Sequence, residues 1–182
     1  MIVTVIGGSA SGKSKIAEDL ICSMSSSQKK YYIATMKVGE DEENIERVKK
    51  HRLLRKDKGF ETIEAPVGID GALDIIKSDK DKNVLIECMS NLVANEMFFD
   101  AMVVSKEETT EKVISQISAL SKNTDNMVIV TNNVFEDGKE YDKYTTGYLE
   151  ALSAVNKKLI EMSDEAYEAV VGIPVKIKQV GE

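Results

Sequence analysis

Short apolar runs alternate along the chain with segments whose apolar residues recur at helical spacing. The runs are apolar at successive positions, which is typical of strands that are buried on both faces of a sheet. The predicted strands are Ile2–Ile6, Tyr31–Thr35, Phe60–Pro66, Asn83–Met89 and Asn126–Asn133, with two short strands within Glu168–Lys178.

The intervening segments predict helices. Ile16, Ala17, Leu20, Ile21 and Met24 form an apolar stripe at helical spacing, and Glu111–Leu120 is amphipathic. The other predicted helices are Ile69–Lys77, Asn91–Val104, Gly147–Met162 and an exposed, highly charged one from Glu40 to about Lys58. Strands that alternate with helices favour an α/β fold, with a mostly parallel sheet, an antiparallel edge and helices on both faces.

Composition narrows the class of protein. The 182 residues suggest a single domain over residues 1–182 with a sizeable core. The formal net charge of -7 disfavours broad nucleic-acid binding, because an acidic surface repels a phosphate backbone. Cys22 and Cys88 have no metal-site or disulfide-framework spacing. No apolar run approaches the roughly 20 residues of a membrane span, and no basic stretch precedes the first run, so we expect a cytoplasmic protein.

The first strand leads directly into a phosphate-binding motif. The segment reads G-G-S-A-S-G-K-S and fits G-x-x-x-x-G-K-[ST]. Its residues are Gly7, Gly8, Ser9, Ala10, Ser11, Gly12, Lys13 and Ser14. Glycines let backbone N–H groups turn towards a phosphate, Lys13 places its charge on the β- and γ-phosphates, and the helix that follows points its positive end at the anion. Ser14 offers a hydroxyl to Mg²⁺, so the motif predicts a site for a nucleoside triphosphate with its metal ion.

A second metal ligand is expected at the end of a neighbouring strand. Glu87 ends the run V-L-I-E and interrupts an otherwise apolar strand, which makes it the candidate. The alternative is a strand-end glutamate without a role. A phosphate loop by itself indicates nucleotide binding and does not separate kinases from ATPases or switches.

The only histidine of the chain, His51, lies in a strongly basic segment. On a helix, Glu43, Arg47, His51 and Arg55 fall at successive i+4 positions, and Arg52 is adjacent. Neighbouring cations disfavour the charged imidazole, so the ring would be neutral and nucleophilic near pH 7. The same cations could hold a triphosphate, which makes nucleotidyl transfer through a phosphoramidate possible. The alternative is a surface histidine on a solvated helix.

Six segments occur in an order that resembles a known family. They are GGSASGKSKIAE, YYIAT, ERVKKHRLLR with FETIEAP, VLIECMSNLVANEMF, VIVTNN and GIPVKIK. Together they resemble the bifunctional adenosylcobinamide kinase / adenosylcobinamide-phosphate guanylyltransferase family of cobalamin biosynthesis, over nearly the whole chain. The resemblance implies a RecA-like P-loop fold and two reactions: phosphorylation of adenosylcobinamide, then transfer of GMP from GTP through a guanylylated histidine to give adenosylcobinamide-GDP.

The resemblance also implies roles for individual residues. It places the guanylylated histidine on His51, which we predict to be catalytic together with Lys13. It implies GTP contacts from the phosphate loop and from Thr35, Met36, Lys37, Arg52, Leu53, Leu54, Arg55, Glu64 and Glu87. Glu64 lies one residue further from His51 than in the usual pattern. GTP, ATP and Mg²⁺ are the implied cofactors, the corrinoid adenosylcobinamide is the implied partner substrate, and the family implies a homo-oligomer.

The chain departs from the family pattern after Thr131. The family usually reads V-[ST]-N-E-V-G, whereas Asn133 replaces the glutamate here and Phe135, not a glycine, comes directly after Val134. The stretch Y-T-T-G-Y-L-E-A-L-S-A-V-N, which ends at the shared Asn156, contains no arginine, and Ser153 stands where a glycine is usual. Two alternatives therefore stay open: a divergent member with one activity or another acceptor, and a nucleotide-sensing module without turnover. The arginines around His51 argue against the second.

Overall fold

The computed structural model describes residues 1–24, 29–37, 58–77, 82–133 and 141–179. The strands are β1 (Ile2–Gly7), β2 (Lys30–Ala34), β3 (Phe60–Glu64), β4 (Asn83–Glu87), β5 (Asn126–Asn132), β6 (Glu165–Val170) and β7 (Ile173–Lys178). The α-helices are α1 (Lys13–Met24), α2 (Leu73–Ile76), α3 (Met89–Met97), α4 (Lys106–Ser121) and α5 (Lys143–Met162). Short 3-10 turns cover Ile69–Ala72 and Phe99–Ala101. The helix predicted from Glu40 to about Lys58 lies outside the described residues, except for its last position.

The strands form one seven-stranded sheet in the order β3-β2-β4-β5-β1-β6-β7. Every neighbouring pair from β3 to β6 is parallel, and β7 is antiparallel to β6. The predicted mostly parallel sheet with an antiparallel edge is confirmed. The carboxyl ends of the six parallel strands therefore share one edge, which is where ligands bind in open α/β sheets.

Two apolar cores cover the two faces of the sheet. Val5, Leu85 and Val128 point towards α1, where they join Ile16 and Ile21 in one buried cluster. Residues at the alternate strand positions, such as those flanking Leu85, join a second cluster with α3, α4 and α5. Successive side chains of a strand point to opposite faces of the sheet. Because both faces are covered, every position of a central strand is buried, which explains the continuous apolar runs in the sequence. Among the described residues, no helix has the length and apolar character that crossing a bilayer requires.

Local conformation moves several helix boundaries from their predicted places. Met89, predicted to end a strand, is the first residue of α3. The helix predicted over Asn91–Val104 ends at Met97, because Phe98 leaves the helical conformation with φ -113° and ψ 43°. Asp100 then adopts a left-handed φ of 50°, and the Val104 N–H donates to the Met97 carbonyl at 2.9 Å.

Two long helices begin earlier than predicted, and each starts directly after a capping side chain. Ser105 accepts a hydrogen bond from the Glu108 N–H ahead of α4. Asp142 accepts hydrogen bonds from the N–H groups of Tyr144 and Thr145 ahead of α5. Such side-chain oxygens satisfy the first amides of a helix, so the helices extend back to the caps.

A buried carboxylate joins α3 to two other segments. The side chain of Glu96 is fully buried, and its Oε1 accepts hydrogen bonds from Gln116 Nε2 at 2.7 Å and the Gly68 N–H at 2.8 Å. Lys112 Nζ lies 2.7 Å from Oε2. Burial raises the pKa of the Glu96 carboxyl, but the hydrogen bonds from Gln116, Gly68 and Lys112 outweigh it and hold the pKa below its usual value of 4.5.

The Glu96→Gln variant is expected to lose about 2 kcal/mol of unfolding free energy at pH 7, because the carboxamide is uncharged and has to turn its NH2 group towards Lys112 or towards the Gln116 and Gly68 donors. A carboxyl whose pKa is lower in the folded than in the unfolded protein stabilises the fold when the pH is above the pKa of the unfolded state. This stabilisation is lost as the pH falls through the pKa of the folded state. The difference between wild type and variant should therefore shrink below pH 4.5. Urea unfolding across that range measures it, with the exposed Glu111→Gln as the control. A difference independent of pH would contradict the assignment.

Candidate nucleotide site

The phosphate loop joins β1 to α1 in a conformation that only particular residues accept. Gly12 has φ +88°, and a Cβ built on it would lie 2.9 Å from the Cα of Gly172. Ala10 also has a positive φ, of 56°. The Gly172 N–H donates to the Ser11 carbonyl at 2.8 Å, so the turn between β6 and β7 supports the loop from outside. Position 12 therefore requires glycine for its backbone angle and for its neighbour.

The predicted metal ligands come together beside this loop. Ser14 Oγ, in the first turn of α1, donates to Glu87 Oε1 at 2.5 Å. Glu87 ends β4, and the Tyr32 hydroxyl donates to its other oxygen, Oε2, at 3.0 Å. Lys13 Nζ donates to the Gly8 carbonyl at 2.8 Å, so its amine lies across the loop. A hydroxyl and a carboxylate are hard oxygen donors of the kind Mg²⁺ prefers, so these residues fit that ion.

Thr35 binds the end of β2 to the end of β4. Its hydroxyl donates to the Cys88 carbonyl and accepts from the Cys88 N–H, both at 2.7 Å. Its N–H donates to the Glu87 carbonyl at 3.0 Å. The peptide between Glu87 and Cys88 is cis. Thr35, predicted from the resemblance, is thus buried within the wall of the site, with its hydroxyl used by the backbone.

Of the remaining predicted site residues, three lie within the described part of the chain and the others lie outside it. Glu64 is exposed at the end of β3, and its register partner Ala34 is also paired with Glu87, so the two acids lie in one row along the carboxyl edge. Met36 and Lys37 follow Thr35, with Lys37 Nζ 6.0 Å from the ring centroid of Phe99. His51, Arg52, Leu53, Leu54 and Arg55 lie outside the described residues.

The region after Thr131, where the sequence departs from the family pattern, is held by a buried asparagine. Asn156 Oδ1 accepts from the Thr131 hydroxyl at 2.6 Å, and its Nδ2 donates to the Asn132 carbonyl at 3.1 Å. The Asn133 N–H donates to the Gly7 carbonyl at 3.1 Å, so a backbone group fixes this position against the phosphate loop. Ser153 is exposed on α5.

A polar cluster at the carboxyl ends of β4 and β5 contains residues that the sequence does not indicate. Ser90 Oγ accepts from Asn132 Nδ2 at 2.7 Å and lies 3.0 Å from the Cys88 sulfur. The Tyr148 hydroxyl donates to the Ser90 carbonyl at 3.3 Å. Burial, with a smaller contribution from the neighbouring Cys88 thiol, raises the pKa of Tyr148 to about 12. The hydroxyl therefore stays protonated, as a donor, at physiological pH.

Comparison with known proteins shows which family the chain belongs to. Residues 3–177 match the family described as cobinamide kinase / cobinamide phosphate guanyltransferase. The chain belongs to this family. Members are kinases and nucleotidyltransferases that use cobinamide and a nucleoside triphosphate, so the predicted enzyme class is confirmed and the non-catalytic alternative is not favoured.

Individual relatives extend over almost the whole chain. It is 30% identical over 192 aligned residues to the bifunctional adenosylcobalamin biosynthesis protein CobU of Escherichia coli, covering 98% of this chain and 100% of that protein. The protein of the same name from Salmonella typhimurium is 29% identical over 189 residues, with the same coverage. A KaiC-like protein from Pyrococcus horikoshii aligns with a TM-score of 0.49 at 12% identity, over 92% of this chain and 69% of that one.

Replacing Lys13 by alanine should lower the affinity for a nucleoside triphosphate by at least about tenfold, because the loop loses its fixed positive charge. Isothermal titration calorimetry with GTP measures this. Lys77→Ala is the matched control, since Lys77 is exposed and pairs with Asp74 on α2. Equal GTP affinities for the Lys13 variant and the wild type would contradict a phosphate-binding role.

Replacing Gly12 by alanine should destabilise the protein by about 2 kcal/mol and weaken GTP binding, because the new Cβ meets the backbone of Gly172 at a positive φ. Chemical unfolding and calorimetry on the same sample test both effects. Gly71→Ala is the control, because nothing lies within 4 Å of a Cβ at that position. A Gly12 variant as stable as this control would show that the turn does not constrain the loop.

Proposed function

We propose that this enzyme phosphorylates the hydroxyl of the aminopropanol arm of adenosylcobinamide and then transfers GMP from GTP to the new phosphate, through a covalent intermediate on His51. The product is adenosylcobinamide-GDP. The observation that carries the proposal is the contact of Ser14 with Glu87 beside the phosphate loop, in a chain that matches the family over residues 3–177.

In the kinase step, the acceptor oxygen forms a bond to the γ-phosphorus, the bond to the bridging oxygen breaks, and the nucleoside diphosphate leaves while the hydroxyl proton is released. The chain contributes charge and position rather than covalent chemistry. The amides of the loop, the start of α1 and Lys13 face the phosphates. Ser14 and Glu87 would hold Mg²⁺, which when bound neutralises phosphate charge. ATP or GTP can serve as donor in this proposal, because these groups contact phosphates alone.

In the transfer step, a nitrogen of the neutral His51 imidazole attacks the α-phosphorus of GTP and pyrophosphate leaves. The resulting phosphoramidate is then attacked by a phosphate oxygen of the corrinoid, which restores the imidazole. Arg52 and Arg55 support this assignment from the sequence, because cations beside His51 favour its neutral form and balance the charge of the triphosphate.

The same proposal covers the organisation of the protein. We propose a single domain over residues 1–182, since both core clusters use one sheet. We also propose that the protein is a homo-oligomer, as the family resemblance implies, and that it is cytoplasmic, as we expect from its sequence pattern.

The His51→Ala variant tests the covalent step. GTP labelled at the α-phosphate should leave acid-labile label on the wild-type protein and none on the variant, while the variant still binds GTP in calorimetry. GTP labelled at the γ-phosphate is the control and should leave no label, which separates guanylylation from phosphorylation of the histidine. Undiminished α-label on the variant would refute the intermediate on His51. Supplying adenosylcobinamide phosphate to the labelled enzyme then tests the acceptor.

A further inference from the structure

Asn95 lies in α3, and its carboxamide bridges two connections at the carboxyl edge of the sheet. Its Nδ2 donates to the Thr35 carbonyl at 2.8 Å and to the Pro66 carbonyl at 2.9 Å. A carboxamide nitrogen carries two hydrogens, so both N–H donors of Asn95 are engaged in hydrogen bonds. Thr35 directly follows β2, and Pro66 lies two residues after the end of β3. One side chain therefore sets the distance between the exits of two neighbouring strands.

The bridge continues the sheet beyond its last regular contact. The Ala65 N–H donates to the Ala34 carbonyl at 2.9 Å, and beyond this point Asn95 joins the connections through their carbonyls. Glu96, the next residue of α3, accepts from the Gly68 N–H at 2.8 Å. Two adjacent side chains of one helix thus fix both ends of the short segment from Pro66 to Gly68.

Thr35 is held from both sides as a result. Its hydroxyl is bound to Cys88 after β4, and its carbonyl is bound to Asn95. The backbone that leads into Met36 and Lys37 is therefore fixed relative to the ends of both β3 and β4. None of these contacts involves the phosphate loop.

We infer that Asn95 is a positioning residue for the nucleoside part of GTP. The inference rests on the proposed function and on the GTP contacts that the family resemblance implies for Thr35–Lys37 and Glu64. Asn95 orients these contacts by holding the exits of β2 and β3 at a fixed spacing. Lys13, Ser14 and the loop amides bind the phosphates independently of it. The site thus has two parts, of which Asn95 controls only the one that binds the nucleoside.

Asn95→Asp is the decisive variant, since aspartate has the same shape but turns oxygen atoms towards two carbonyl oxygens. We expect the affinity for GTP to fall by about tenfold, the equivalent of one lost hydrogen bond to a charged or well-placed group. The affinity for inorganic tripolyphosphate, which has no nucleoside, should stay within about twofold of wild type. Calorimetry with both ligands, alongside the thermal unfolding midpoint, measures the split.

Asn123→Asp is the matched control. Asn123 also donates from its carboxamide to a backbone carbonyl, that of Ala119 at 2.8 Å, but it lies after α4 at the opposite edge of the sheet. The Asn123→Asp variant should have the affinities of the wild type for both GTP and tripolyphosphate. Where the aspartate at position 95 prevents folding, Asn95→Ser removes the bridge without adding charge and is measured in the same way.

The outcomes separate this inference from the proposed function. A variant that binds both ligands like the wild type, or that loses affinity for both equally, overturns the role of Asn95. A wild-type protein that binds GTP no better than tripolyphosphate contradicts the GTP contacts themselves, and the inference fails with them. Selective loss of GTP affinity in the variant supports the two-part site.

Discussion

The contact between Ser14 and Glu87 depends on one constraint, the common direction of the parallel strands. The two residues are 73 positions apart, and they meet because β1 and β4 both end at the same edge with only β5 between them. The loop after β1 and the acid at the end of β4 could not approach each other if either strand ran the other way. The apolar cores on both faces stabilise that sheet, so the packing of the interior determines the geometry of the phosphate site.

Much of this arrangement could be predicted from the sequence, because parallel strands buried on both faces leave a strong signal. The apolar runs predicted β1, β4 and β5 to within two residues, and the glutamate at the end of one run indicated a site residue. The phosphate loop could be predicted equally well, since few other structures need its glycines and its Lys-Ser pair in that order. The strand order followed from neither signal and required the folded chain.

The contacts of Asn95, Gly172 and Asn156 could not be predicted, and the physical reason is the same for all three. Each forms a hydrogen bond with a backbone group of a distant segment, and the sequence does not show which backbone groups will lie close to a given residue. The break after Met97 is unpredictable for a related reason, because it depends on the backbone angles of single residues, Phe98 at the end of the helix and Asp100 in the turn that follows. Sequence patterns report burial and chemistry well, whereas the hydrogen bonds that align the exits of strands appear only in the structure.

The position of β1 in the sheet has a consequence for how the enzyme is made. β1 is translated before the other strands of this sheet, but both of its neighbours, β5 and β6, follow more than a hundred residues later. The turn that supports the phosphate loop, at Gly172, is later still. Until these segments are made, the nascent chain carries a nucleotide motif without the strands and the turn that support it, and we expect nucleotide to stabilise the protein only after they have been translated. Such long-range pairing is typical of slowly folding sheets and leaves the first strand open to chaperones in the meantime.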